Sequence, residues 1–159
     1  MKKIIFILLL LSLLVNVKAY AIDGQIFDMR NKFFEESKKI KVYLPKSRDT
    51  IWLTSLFDSC IMTTMQLDAY VSMLGIFNAI KRENLTPAPI GLLISWINEI
   101  KKSNDLNLRI LVVSADPIDA DTKTHIESLR MYFTDLNKIL DAELKKFYIL
   151  NDSLSIKKR

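Results

Sequence analysis

His125 and Cys60 are the only histidine and the only cysteine in the chain. A structural zinc site wants four nitrogen or sulfur ligands, and a carboxylate di-iron bundle wants Glu-x-x-His pairs on two helices. Neither set exists here. Covalent haem attachment would need a Cys-x-x-Cys-His run, which is absent. A Met29–His125 axial pair would place its members at opposite ends of an up-down bundle, on the order of 20 Å apart at ~1.5 Å of rise per residue. Met62 and Met65 lie nearer, but core filling is the ordinary use of such methionines.

Asp116, Asp119, Asp121 and Glu127 invite comparison with a calcium loop. Counting from Asp116, the third and fifth positions are Ile118 and Ala120, and Asp121 stands where the loop requires glycine. Capping and helix-dipole complementation account for these acids instead. Cys60 sits in an apolar stretch with no cation or base near it in sequence, the setting of a buried structural thiol rather than a nucleophile. No serine stands in a Gly-x-Ser-x-Gly turn. Asn84-Leu85-Thr86 and Asn151-Asp152-Ser153 match the glycosylation sequon, a match that chance supplies often. The expectation is a non-catalytic protein with no cofactor and no metal.

The elements that would carry any site begin after a leader. Lys2 and Lys3 precede an apolar run from Ile4 to Val15, and Ala19-Tyr20-Ala21 has small residues where a signal peptidase cuts. The run of about 12 residues is short of the ~20 needed to span a bilayer. Residues 1–21 therefore read as a cleaved signal peptide, with a retained anchor as the alternative. No stable membrane span is expected after cleavage. The short basic start is of the bacterial kind, which places the product in the periplasm or outside the cell. Removing Lys2, Lys3 and Lys18 from 23 basic residues leaves 20 against 18 acidic ones, a net +2 rather than +5. Lys157, Lys158 and Arg159 close the chain, so the folded body is nearly neutral and offers no phosphate-binding face for nucleic acid.

Three glycines and four prolines disfavour a turn-rich β fold. Pro45, Pro87 with Pro89, and Pro117 divide residues 22–159 into four segments. In the first, Ile26, Phe27, Phe33, Phe34 and Ile40 form an apolar face, with Arg30, Glu35, Glu36, Lys38, Lys39 and Lys41 opposite. The second runs from Asp49 to Arg82, with Ser47 or Asp49 as N-cap. Leu53, Leu56, Cys60, Leu67, Tyr70, Leu74 and Phe77 make its stripe. Trp52, Phe57, Ile61, Met65, Val71, Ile76 and Ile80 widen it. The third opens on Thr86-Pro87, an N-cap and first-turn proline. Its helical face is Leu93, Trp96, Ile97 and Ile100. Residues 106–113 alternate like a strand, but no second strand exists to pair with them, so a continuing helix is favoured.

In the fourth, Asp116-Pro117-Ile118-Asp119 reads as N-cap, proline and an acid at the third position. A seam then follows through Ile126, Leu129, Phe133, Leu136, Leu140, Leu144, Phe147 and Leu150. The spacing predicts an all-α up-down-up-down four-helix bundle over residues 22–152, with a flexible basic tail at 153–159.

The anomaly is the second segment, which is apolar beyond what one buried face requires. Ala69, Ser72, Gly75 and Ala79 place small groups along it at three- and four-residue steps, a pattern that suits close helix packing. Asp68, Tyr70, Met73, Phe77 and Asn78 are the expected contact surface. Its ligand would be a protein partner or a second copy of the chain. The alternative is an apolar small molecule held between helices, with Asp68, Tyr70 and Asn78 as polar contacts.

Overall fold

The computed structural model describes residues 24–81, 84–113 and 119–156. It is all-α: α1 spans residues 24–43, α2 Thr50–Ala79, α3 Pro87–Val113 and α4 Ala120–Ile156. No strand occurs among the described residues, and 106–113 continue α3 as a helix. The leader and the Asp116–Ile118 cap lie outside the described residues.

Proline and capping chemistry set the breaks. Pro45 lies in a single 3-10 turn, Leu44–Lys46, that ends α1; its ring removes a backbone donor and fixes φ. α3 starts at Pro87, the position where a missing N–H costs nothing. α2 stops at Ala79, earlier than Arg82, because Ile80 turns extended. Asp119 immediately precedes α4 rather than standing three residues inside it. At the other end α4 continues to Ile156, so residues 153–156 belong to the helix and not to a tail. Ser153 Oγ donates to the Leu150 carbonyl at 2.7 Å and Leu154 packs on the core.

One continuous apolar core joins the helices. Its α4 side is the expected seam, with Ile126, Leu129, Phe133, Leu136, Leu140 and Phe147 buried. Phe33 of α1 stacks at a tilt on Phe133, centroids 4.9 Å apart, and meets Tyr132 edge-on. Trp96 Nε1 of α3 donates to the Gln66 carbonyl of α2 at 3.3 Å. Ser59 of α2 lies 3.4 Å from Asn107 of α3. Lys101 pairs with Asp141 and Arg130 bonds the Leu111 carbonyl, both between α3 and α4. Phe77 of α2 stands edge-on to Phe147 of α4.

Besides Asp49 at the start of α2, two carboxylates are buried along the helices, against the expectation that charged residues face outward. Glu36 is buried beside His125, and Glu143 is buried beside Tyr70. Neither is left without a partner, which is the condition on which burial of a charge is tolerable.

Candidate functional site

Residues of α2 that point away from the core form their own regular line. Ile51, Ser55, Asp58, Met62, Met65, Ala69, Ser72 and Ile76 follow one another by alternating steps of four and three, the spacing of a coiled-coil seam. Ala69 is half-buried and the other seven are exposed. Ile51 is 86% exposed, Met62 55%, Met65 61% and Ile76 70%. These are large apolar side chains in water along one helix, and full burial of each is worth about 1.5–3 kcal/mol. Scattered exposed apolar residues need no explanation, but a line of them does.

The small residues lie on or beside this line. Ser72, Gly75 and Ala79 are exposed, and a methyl group built on Gly75 would meet nothing within 4 Å. Among the described residues, the close packing expected at Ser72, Gly75 and Ala79 is therefore not made. It remains available to something outside the chain. Among the described helices, α2 alone is long and apolar enough to cross a membrane, a property shared by the core helices of soluble bundles.

The five residues singled out by sequence do not share a face. Asp68 is exposed and takes a forked bond from Arg30 of α1, with Nε at 2.9 Å and Nη2 at 3.2 Å. Asn78 is also exposed. Tyr70 is wholly buried, and its hydroxyl donates to Glu143 Oε2 at 2.5 Å. Met73 and Phe77 are half-buried against the core. Tyr70 thus belongs to the interior. The residues that do face outward, Met62, Met65 and Ile76, were visible only as members of the apolar excess. Their four- and three-residue offsets from Ile51 and Ala69 are the signal that separates this line from the buried stripe.

A cavity of about 220 Å³ lies at the other end of α2, between its first turns and the last turns of α3. Buried Leu56, Leu111 and Phe133 form its inner side, and exposed Ile51 and Ile110 flank it. Its polar contacts are Ser55, Ser59 and Asn107. This is not where Asp68, Tyr70 and Asn78 would have placed a pocket.

The titratable interior is built for structure. His125 Nδ1 lies 2.6 Å from Glu36 Oε1, and Lys39 Nζ lies 3.2 Å from Oε2. Burial alone would raise the Glu36 pKa; the bonds and charges of His125 and Lys39 outweigh it and hold the carboxyl below its ordinary value. Burial, and then the Glu36 charge, push the Cys60 thiol up to about 12, so it stays protonated at neutral pH. Among the described residues, no three His, Cys, Asp or Glu side chains are placed to hold a metal ion.

No family model, curated protein or solved structure matches the chain.

Proposed function

We propose that this protein is an exported, non-catalytic helical bundle that engages a protein partner, or a second copy of itself, through the outer face of α2. The observation that carries this reading is the exposed line of Ile51, Met62, Met65 and Ile76 at coiled-coil spacing. The leader at residues 1–21 supports delivery to the periplasm or the exterior.

The proposed scaffold is an up-down-up-down bundle. Its support is the order of cross-helix pairs. Residues 59 and 66 of α2 meet 107 and 96 of α3, in reversed order. Residues 101 and 111 of α3 meet 141 and 130 of α4, again reversed. Residues 70 and 77 of α2 meet 143 and 147 of α4 in the same order.

A photo-activated cross-linking residue at Met62 or Met65, introduced in the producing cell, tests the surface. Adducts are expected from these two positions and not from exposed Glu127 on α4. No adduct from either α2 position would overturn the reading.

The cavity beside Ile51 favours a second reading, in which the bundle carries a small apolar molecule. Thermal melting against lipids and aromatic compounds tests it, because a ligand of the folded state must raise the midpoint. Absence of a shift with every compound contradicts it.

A further inference from the structure

Three of the four pairs on the outer line of α2 are mirror images. Reflected about the midpoint between Thr63 and Thr64, Ile51 falls on Ile76, Ser55 on Ser72, and Met62 on Met65. The fourth pair, Asp58 and Ala69, sets the only charge on the line against a small residue. In a two-stranded seam the alternating positions are the two inward sites of a heptad, and an antiparallel pair packs one kind against the other. The four mirrored pairs each join one site of the first kind to one of the second. We infer that the partner of this surface is a second copy of the same chain, laid antiparallel along α2 about a two-fold axis at residues 63–64.

This inference rests on the proposed use of the α2 surface and names its occupant. Three observations favour self-pairing in this sense. A two-fold interface must be self-complementary, each residue meeting its mirror partner twice. Here large meets large at the ends and centre, with small or polar residues between. The buried α2 positions Thr63, Leu67 and Leu74 are already used by the core, whereas the large apolar residues of the mirrored line, Ile51, Met62, Met65 and Ile76, are exposed. Orientation is decided by Asp58. A parallel, in-register pair would press Asp58 against its own copy, and like charges opposed at an interface are strongly disfavoured; the antiparallel pair sets it on Ala69. Ile51, which flanks the 220 Å³ cavity, would be covered by Ile76 of the second copy.

The test uses the protein expressed from the full chain and purified as the host delivers it. Ile51→Cys and Ile76→Cys variants are made separately, with buried Cys60 retained. Antiparallel pairing predicts that a short bifunctional maleimide joins the two variants when they are mixed. Either variant alone stays unlinked, since residue 51 and its own copy would lie about 37 Å apart along the helix axis at ~1.5 Å per residue. Efficient linking of Ile51→Cys to itself would overturn the orientation.

Charge exchange gives an independent readout on an exposed surface, where folding is not at stake. Met62→Glu/Met65→Glu should be monomeric, and Met62→Lys/Met65→Glu should recover the dimer, because each lysine then faces a glutamate. Equal behaviour of the two double variants would overturn the inference. A monomeric natural chain whose Met62 or Met65 photo-adducts contain a different protein would also overturn it, while leaving the broader use of the α2 surface standing.

Discussion

Glu36 of α1 and His125 of α4 meet at 2.6 Å in a site where the glutamate is 2% exposed. Lys39 and Tyr43 of α1 and Cys60 of α2 complete its surroundings. Because the Glu36 pKa is lowered in the fold, its pairing stabilises the native state fully above the unfolded carboxyl value. That contribution is lost as pH falls through the folded value. Urea denaturation across acid pH should show stability declining below about pH 4.5, the ordinary carboxyl value. Glu36→Gln should flatten that decline. His125→Leu at neutral pH should cost about 1–3 kcal/mol, the penalty of a buried acceptor losing a partner.

Tyr70 and Glu143 make the second buried polar link, between α2 and α4. The hydroxyl serves Oε2, whereas Oε1 makes no hydrogen bond and has Lys146 Nζ at 3.6 Å. Tyr70→Phe should therefore destabilise the fold by about 1–3 kcal/mol. The double variant Tyr70→Phe/Glu143→Leu should recover part of that loss. A double-mutant cycle in urea measures the coupling, and strict additivity would contradict the link.

The segments that lead into α2 and α4 are clasped by an exchange of hydrogen bonds. Asp119 Oδ2 accepts the Arg48 N–H at 2.8 Å and the Ser47 hydroxyl at 2.6 Å, while Asp49 Oδ2 accepts the Asp119 N–H at 2.8 Å. The Ser47 hydroxyl bond, then the Arg48 N–H, hold the Asp119 carboxyl below its ordinary pKa. Asp119→Ala should speed hydrogen exchange at Arg48 and lower the melting midpoint. Unchanged exchange at Arg48 would contradict the clasp.

Gly75 lies near the C-terminal end of α2, four residues before Ala79, with open space beyond it. Gly75→Ala should stabilise the chain by about 0.5–1 kcal/mol, because alanine loses less backbone entropy in a helix and meets no neighbour here. A loss of stability when the same change is made in the Met62→Glu/Met65→Glu background would contradict the open space at Gly75 within one chain.

Much of the fold was legible in residue spacing. The seam from Ile126 to Phe147 is buried as its three- and four-residue steps require, and Pro87 opens α3. Reading charge as a sign of exposure places Glu36 on the outer face and gives Glu143 no place in the core. Yet Glu36 stands three after Phe33 and four before Ile40, and Glu143 three after Leu140 and four before Phe147, on the buried stripes. The clasp joins residues about seventy apart and leaves no local signature. On α2, apolar residues inside and outside overlap in one composition. Composition therefore places Tyr70 on a surface that it does not reach and merges the outward line of Met62, Met65 and Ile76 with the core.

Sedimentation equilibrium of the natural chain over a wide concentration range, beside Met62→Glu/Met65→Glu, reads the use of the α2 surface most directly. Antiparallel pairing predicts a mass rising to twice that of one chain for the natural protein and staying at one chain for the variant, with the same helical circular-dichroism spectrum. A natural chain that remains at single mass at every concentration would contradict self-pairing through α2.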